Sequence, residues 1–312
     1  MALRRQRTNC VLKEDIVIPV MGPTKAGKSS FLNQLLGSSV FEASNRLASC
    51  TSVVTPRVVE SGCIPELEGM LQGHRIVLVD TPGFDDTLMG DEEILILLSE
   101  WLATSYKQGM RIGGVLYLHD ITREGSTLNG LTVFSKICGQ DAMKWVSIVT
   151  TKWERLQDRE GGYGKVEELC QGPWGGLIRA GAKVCHLRPA DPESVHPPFP
   201  EHNEPWEVVS QFFPGVPAYD FGDRILQIQR EIVEGGLVIP HTEAGKALPM
   251  SVNELVKKEK GLKREAKKDF KVGGRRATDL LSTRRENLQK VIAQLDTLNP
   301  PGLLALTMRL FL

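Results

Sequence analysis

The feature that most constrains this chain is a glycine-rich segment between an apolar run and a helical pattern. Residues 16–21 form a short apolar run, which predicts a strand buried on both faces. The next segment has the pattern GxxxxGK[ST], and glycines there let backbone amides turn inward around a phosphate at a helix N-terminus. A glycine turn that contains Lys and Ser by chance is the alternative. The predicted phosphate-binding residues are Gly22, Pro23, Thr24, Lys25, Ala26, Gly27, Lys28, Ser29 and Ser30.

Strand-like and helix-like segments alternate over the first 200 residues or so. This order predicts an α/β fold, a mostly parallel central sheet flanked by helices. The glycine-rich segment above and the motifs described below predict that it is the G domain of a P-loop NTPase. Pro19, inside the first strand, indicates an irregular or edge position there. The predicted strands cover 16–21, 53–59, 75–80, 114–118, 145–149 and 183–187, and the predicted helices cover 29–36, 92–106, 128–138, 166–178 and 205–213.

The boundaries follow from changes in composition along the chain. Residues 1–14 form a polar arm, 15–222 the predicted G domain, and 223–312 a basic helical C-terminal extension. Residues 252–290 carry 13 basic and six acidic side chains, although the whole chain has 38 of each. This extension could bind an acidic membrane surface or a protein partner, while a solvated helix or a coiled coil with a partner is the commoner outcome of such a pattern. Without an aromatic stacking ladder, it predicts no specific nucleic-acid site.

A second motif follows the predicted strand 75–80. Asp80 ends that strand and precedes Thr81-Pro82-Gly83. An acidic residue there can hold Mg²⁺ through water, and the Gly83 amide would sense a γ-phosphate. By itself the tetrapeptide would be a surface turn. About 50 residues after a phosphate loop, it indicates a nucleotide switch.

A third motif, Thr150-Thr151-Lys152-Trp153-Glu154, follows the strand 145–149. GTPases end this strand with [N/T]KxD, in which the Lys stem packs on the base and the carboxylate accepts hydrogen bonds from guanine. Thr151, Lys152 and Glu154 are therefore predicted to bind guanine. Glu154 is one methylene longer than Asp, so a P-loop kinase or ATPase and a simple capped turn remain alternatives.

A threonine between the first helix and the second strand would join Mg²⁺ and the γ-phosphate. Thr51 is best placed, and Thr55 is the second choice. The predicted metal ligands are thus Ser29, Thr51 and Asp80, and the predicted catalytic residues are Lys28, Thr51 and Gly83.

Together these motifs resemble the translation-factor-related P-loop GTPases. The sequence Val79-Asp80-Thr81-Pro82-Gly83-Phe84-Asp85-Asp86 is similar to septins and to immune-associated nucleotide-binding GTPases. The layout that follows resembles the immune-associated type, closest to its fungal G-domain relatives; it consists of residues 114–124, Phe134, Cys138-Gly139 and Val149-Thr150-Thr151. The resemblance spans about residues 15–215. It implies binding of GTP or GDP with Mg²⁺, slow intrinsic hydrolysis, and dimerisation or oligomerisation through the G domain.

Several residues depart from that pattern. Phe84 stands where small GTPases carry a water-orienting Gln. Asp120 stands where relatives supply an Arg to the partner subunit, so trans-activation requires His119 or Arg123 instead. Lys25 replaces a small residue; its ammonium could stand in for a monovalent cation, and a solvent-facing side chain is the alternative.

The sequence thus leaves two main hypotheses. One is a slow Mg²⁺-dependent GTPase coupled to assembly, and the other is a scaffold that binds GTP without significant turnover. The first 13 residues lack the apolar stretch of a secretory signal, and no apolar run reaches membrane-spanning length. The six cysteines form no CxxC pair, so we expect a cytoplasmic protein.

Overall fold

The fold was described from a computed structural model. It describes residues 12–39, 53–59, 71, 73–86, 89–123, 128–187, 199–202, 204–213 and 218–248, with scattered positions from 257 to 292. An eight-stranded sheet runs through these residues in the order β2-β3-β1-β5-β6-β7-β8, with β4 also paired to β1. The strands are β1 Ile16–Met21, β2 Thr55–Val58, β3 Ile76–Asp80, β4 Arg111–Ile112, β5 Val115–Asp120, β6 Val146–Thr151, β7 Lys183–Leu187 and β8 Glu201–His202.

The sheet is mostly parallel, as the alternation of strands and helices predicts. Only β2 runs antiparallel to its neighbour, with Thr55 opposite Asp80 and Val58 opposite Val77. All other pairs in the sheet are parallel. The carboxyl ends of β1, β3, β5 and β6 therefore meet at one edge, which is where ligands bind in sheets of this type.

Pro19 lies in the central strand and not at an edge. On one side β1 pairs with β3 along its length, but on the other side it pairs first with β4 and then with β5. Residues 113–114 interrupt that second neighbour. A proline has no N–H to donate to a ladder, and the interruption makes this position irregular in the way that the sequence indicates.

Side chains of β1 and β3 alternate between two apolar clusters, one on each face of the sheet. Val17, Met21 and Val77 belong to one cluster, whereas Ile18 and Leu78 belong to the other. Such alternation follows from the two-residue period of a strand, and burial on both faces explains the unbroken apolar run. The helices that cover the faces are α1 Lys28–Leu35, α2 Asp91–Lys107, α3 Leu128–Cys138, α4 Arg159–Gln171, α5 Gly175–Arg179, α6 Pro205–Ser210, α7 Gln227–Gln229 and α8 Glu243–Ala247.

The predicted helix 166–178 is wrong as a single element. The structure has α4 and α5 there, separated by residues 172–174, because Pro173 has no N–H for a continuous helix. The predicted helix 205–213 ends earlier, at Ser210.

Residues 226–248 pack on the sheet domain. The α7 segment continues as a π-helical turn, Arg230–Glu234, and Gln229 Nε2 donates to the carbonyl of Leu102 in α2 at 3.1 Å. Leu226, Ile228 and Leu288 are fully buried in the same apolar cluster as α2 and α3. Part of the C-terminal extension therefore contributes to the core. The predicted boundary at residue 222 stays a prediction.

Within the described parts of the chain, no helix combines the length and apolar character needed to cross a membrane.

Candidate functional site: a nucleotide site at the carboxyl edge of the sheet

The glycine-rich loop connects β1 to α1 through backbone conformations that require glycine. Gly22 has φ 133°, and a Cβ there would lie 2.2 Å from the carbonyl oxygen of Leu118. Gly27, which precedes α1, has φ 94°. A side chain at either position would strain the loop. The backbone thus turns tightly against β5 and aims the start of α1 at the carboxyl edge of the sheet.

Lys28 lies beneath this loop and is buried. Its Nζ donates to the carbonyls of Gly22 at 3.1 Å and Pro23 at 2.9 Å. Burial lowers the pKa of Lys28 to about 8, although the carboxylates of Asp80 and Asp86 oppose that shift. A buried ammonium held by two carbonyls is well placed to bind an anion that enters the loop.

Ser29 and Asp80 provide oxygen ligands beside Lys28. The Ser29 hydroxyl donates to Asp80 Oδ2 at 2.8 Å, and Asp80 is almost completely buried. Thr81 fixes the end of β3 because its hydroxyl donates to the Val20 carbonyl at 2.7 Å. A hydroxyl and a carboxylate are ligands that Mg²⁺ prefers, with substrate phosphates supplying others. The donor set therefore fits Mg²⁺ bound together with a phosphate.

No group of three or more His, Cys, Asp or Glu side chains that could hold a metal occurs among the residues described. Thr51, the predicted third ligand, lies outside the described residues. Thr55 is described, and its hydroxyl donates to the Val53 carbonyl at 3.4 Å, next to Asp80 across the β2–β3 ladder.

The segment after Asp80 is fastened directly to the phosphate loop by Thr24. The Thr24 amide donates to the Phe84 carbonyl at 2.8 Å. Its hydroxyl lies 3.0 Å from the Gly83 carbonyl and 3.2 Å from Asp86 Oδ2. A Cβ at residue 83 would lie 2.5 Å from the Thr24 backbone nitrogen, so only glycine fits this close approach.

Phe84 points into the core. Its side chain is 0% exposed, and it packs so closely on α3 that a Cβ at Gly130 would lie 2.7 Å from that of Phe84. The position that carries a water-orienting Gln in small GTPases thus serves packing in this chain.

The third motif meets the phosphate loop through two side chains. Thr151 is buried, and its hydroxyl donates to the Ala26 carbonyl at 2.8 Å. Lys152 Nζ donates to the Lys25 carbonyl and to Asp120 Oδ2, the latter at 2.6 Å. Glu154 is 69% exposed, and Arg155 lies 3.7 Å from its carboxylate. The structure therefore brings the predicted base-binding and phosphate-binding residues to one place.

Asp120 holds Lys152. One of its carboxylate oxygens bonds Lys152, and the other accepts from the amide and hydroxyl of Thr122 at 2.9 and 2.6 Å. Burial opposes ionisation of Asp120, but these hydrogen bonds outweigh it and lower the pKa of the carboxyl group. At the position where the resemblance implies an Arg supplied to a partner subunit, this chain therefore has a carboxylate in an ion pair with Lys152.

The other unusual residues take different positions. Lys25 is exposed, with φ 67°, so its side chain faces solvent while its carbonyl binds Lys152. His119 is buried edge-on against Trp174, 5.1 Å between ring centroids, and burial lowers its pKa to about 4. Arg123 is partly exposed and lies 3.8 Å from Asp85. Ser30 is exposed on the first turn of α1, and Pro23 forms a β-bridge with Phe84.

Sequence reasoning missed Asp86 as a partner of Thr24, and Asp120 as a partner of Lys152. It also gave no role to Trp153 and His186, which pack together beneath Glu154's loop, 4.7 Å between ring centroids. A bulky indole inside the third motif was the available signal, since a surface loop rarely needs one.

Residues 17–149 match the family model described as 50S ribosome-binding GTPase, which covers less than half of the chain. With the topology above, this match gives the chain the G-domain fold of P-loop NTPases.

Solved structures with a similar arrangement include Toc33 from Arabidopsis thaliana in complex with Mg²⁺ and GMPPNP. That likeness has 16% identity and a TM-score of 0.47, and covers 72% of this chain and 89% of Toc33. A second is Era from Aquifex aeolicus, with 19% identity, a TM-score of 0.36, and 51% of this chain and 47% of Era covered.

Proposed function

We propose that this chain binds GTP with Mg²⁺ and hydrolyses it slowly. The observation that carries the proposal is the bond from Lys152 Nζ to the Lys25 carbonyl. It joins a loop with base-binding residues to a loop with phosphate-binding residues at the carboxyl edge of the sheet. In this proposal one nucleotide contacts both loops.

Each residue has a role in this proposal. The phosphate loop would bind the phosphates through its amides and Lys28, while Ser29, Thr51 and Asp80 would hold Mg²⁺, which would neutralise charge on the phosphate oxygens. Gly83 would donate its amide to the γ-phosphate. Thr151, Lys152 and Glu154 would bind guanine, Glu154 by accepting hydrogen bonds from the base. In hydrolysis a water oxygen attacks the γ-phosphorus, and the bond to the GDP leaving oxygen breaks.

Slow turnover and assembly belong to the same proposal. Since Phe84 is buried, position 84 offers no Gln-type group to orient water, and hydrolysis by that route needs help from another residue. A second copy of the chain could supply it, and the septin-like and immune-associated motif pattern favours such a dimer or oligomer. The position of Arg123 beside Asp85 makes it our candidate for this role. A cytoplasmic location and an acidic membrane or protein partner for the basic extension remain predictions.

A non-catalytic scaffold is the second candidate function. Two observations favour it: Phe84 is packed in the core, and Asp120 is committed to Lys152. Neither residue can then assist the attack of water. Such a protein would bind GTP tightly and use the bound state only for assembly.

The two candidates separate in one experiment on the full chain. Turnover of GTP and of ATP is measured with Mg²⁺ over a series of protein concentrations, beside the variants Lys28→Ala and Arg123→Ala. We expect GTP turnover per subunit to rise with concentration, and to be lost in Lys28→Ala. Arg123→Ala should keep GTP binding but lose the rise.

The other outcomes are equally informative. Tight GTP binding with flat, negligible turnover would establish the scaffold. A preference for ATP would refute the guanine assignment.

A further inference from the structure

Beneath the base-binding loop lies a buried polar chain that the proposed function does not use. Trp153 follows Lys152 directly, and its indole is 3% exposed. The indole N–H donates to the Thr150 hydroxyl at 2.8 Å, and that same hydroxyl lies 2.7 Å from Nδ1 of His186. Thr150 and His186 are themselves fully buried, in β6 and β7.

The hydrogen-bonded side chains of Trp153, Thr150 and His186 are enclosed by aromatic rings. The Trp153 ring lies 5.1 Å from Tyr163 of α4 and 4.7 Å from His186 of β7, measured between centroids. Phe199 closes the far side, with its centroid 5.8 Å from that of His186. Hydrogen bonds in such a water-free setting hold their geometry firmly, because water cannot compete for either partner.

The turn that carries Glu154 is therefore fixed on both sides. Lys152, immediately before Trp153, has φ 65° and is tied to Asp120 and to Lys25. Trp153 itself is tied to Thr150. Glu154 comes next in the short 3₁₀ turn Trp153–Arg155, and its own side chain is exposed and has no buried support. Whatever precision its carboxylate has must come from the backbone below it.

Glutamate needs this support more than aspartate would. Its extra methylene adds a rotatable bond, so a carboxylate at its end loses more conformational freedom when it binds a base. A rigid backbone reduces the remaining cost of placing it.

We propose that Thr150, with Trp153 and His186, is a positioning group that sets the purine selectivity of this site through Glu154. The inference rests on the proposed binding of guanine nucleotides. The chemistry recognised is the guanine N1–H and 2-amino edge, two donors that face a carboxylate acceptor.

The test compares GDP with IDP, which lacks the 2-amino group, by equilibrium binding to the full chain. Thr150→Val removes the hydroxyl at nearly constant volume, whereas Thr150→Ser keeps the hydroxyl and removes only the methyl group. We expect the wild type to favour GDP over IDP by about tenfold, as one charge-assisted hydrogen bond provides. Thr150→Val should lose most of this ratio, chiefly through weaker GDP binding, and Thr150→Ser should recover it.

Tyr163→Phe is the matched control. It removes a hydroxyl from the same cluster, one that bonds Glu201 and takes no part in the Thr150 chain. Its GDP-to-IDP ratio should equal that of the wild type. If Thr150→Val fails to fold, as judged by its melting curve, Trp153→Phe replaces it, since that change removes only the indole donor and part of the ring.

Three results would overturn the inference. An unchanged GDP-to-IDP ratio in the folded Thr150→Val or Trp153→Phe variant would show that Thr150, Trp153 and His186 do not act through Glu154. Equal weakening of both nucleotides would show a general structural role. A wild type without preference for GDP would refute guanine recognition itself, and that failure is visible before any variant is made.

Discussion

Phe84 shows how one side chain limits the chemistry available to this site. Its position in the sequence is next to Gly83, at the end of the switch motif, yet its ring lies in the core against Gly130 of α3. A residue at this point can either reach the attacking water or fill the core. In this chain it fills the core.

We predict that Phe84→Gln will not create a faster GTPase. The amide would replace a buried ring, which leaves both a cavity and an unsatisfied polar group, at a cost of about 3 kcal/mol in unfolding free energy. The measurements are denaturant unfolding and single-turnover hydrolysis. Phe84→Leu, which stays apolar, is the control and should cost less. A faster rate in Phe84→Gln with unchanged stability would contradict this view, because it would mean that the side chain swings out.

The site residues that could be predicted from the sequence are those that lie in local motifs. The conformation of the phosphate loop depends on the positive φ angles of Gly22 and Gly27, which the local motif predicts. The close approach of Gly22 to Leu118 of β5 could not be predicted from the motif. The pairing of Asp120 with Lys152 could not be predicted in this way. These residues are 32 positions apart, and they meet only because β5 and β6 are neighbours in register.

At the scale of elements, three loops are joined by single side chains. Thr24 joins the phosphate loop to the switch, Thr151 joins the base loop to Ala26, and Lys152 joins it both to Lys25 and to Asp120. Each bond links the end of one strand to the end of another. The single predicted helix 166–178 was wrong at Pro173, because the apolar periodicity continues across the non-helical residues between α4 and α5.

We predict that Asp120→Ala weakens GDP binding by about tenfold, because an ammonium loses its charged hydrogen-bond partner in a half-buried site. Asp120→Asn keeps an acceptor and should lose less. Fluorescent-nucleotide titration measures both. The control is Asp141→Ala, which removes an exposed carboxylate that pairs with Arg230 at 3.3 Å, away from the loops. Wild-type affinity in Asp120→Ala would show that Lys152 is held well enough by Lys25 alone.

For the whole molecule, a mostly parallel sheet flanked by helices follows from the sequence, but the extent of the core does not. The polar, basic composition of residues 252–290 predicts a solvated extension. Leu288 is nevertheless 0% exposed and lies in the main apolar cluster. The sequence predicts an apolar stripe in this segment, but such a stripe does not reveal which surface it packs on. Its members are Leu280, Leu281, Leu288, Val291, Ile292 and Leu295.

We predict that His119 makes global stability sensitive to mild acid. Its folded pKa, about 4, lies below the ordinary value of 6.5, so the unfolded chain binds the proton more readily. Stability from this residue is complete above pH 6.5 and is lost as the pH falls towards 4, by up to about 3 kcal/mol.

Unfolding free energy measured from pH 7 to pH 4 tests this point. His119→Gln, which cannot be protonated, should be less stable at pH 7 but lose less on acidification. The difference between the two curves isolates the contribution of His119 from that of carboxylates such as Asp120, whose protonation in acid also lowers the stability of the folded protein. Parallel curves for both proteins would contradict the prediction.

The packing of residues 226–248 and Leu288 on the sheet domain has a practical consequence for fragment design. A truncation at residue 222 would uncover the apolar surface that Leu226, Ile228 and Ile239 now cover. Such a fragment would expose an apolar surface and would aggregate during purification. Recombinant pieces meant for crystallisation should therefore run at least to residue 292.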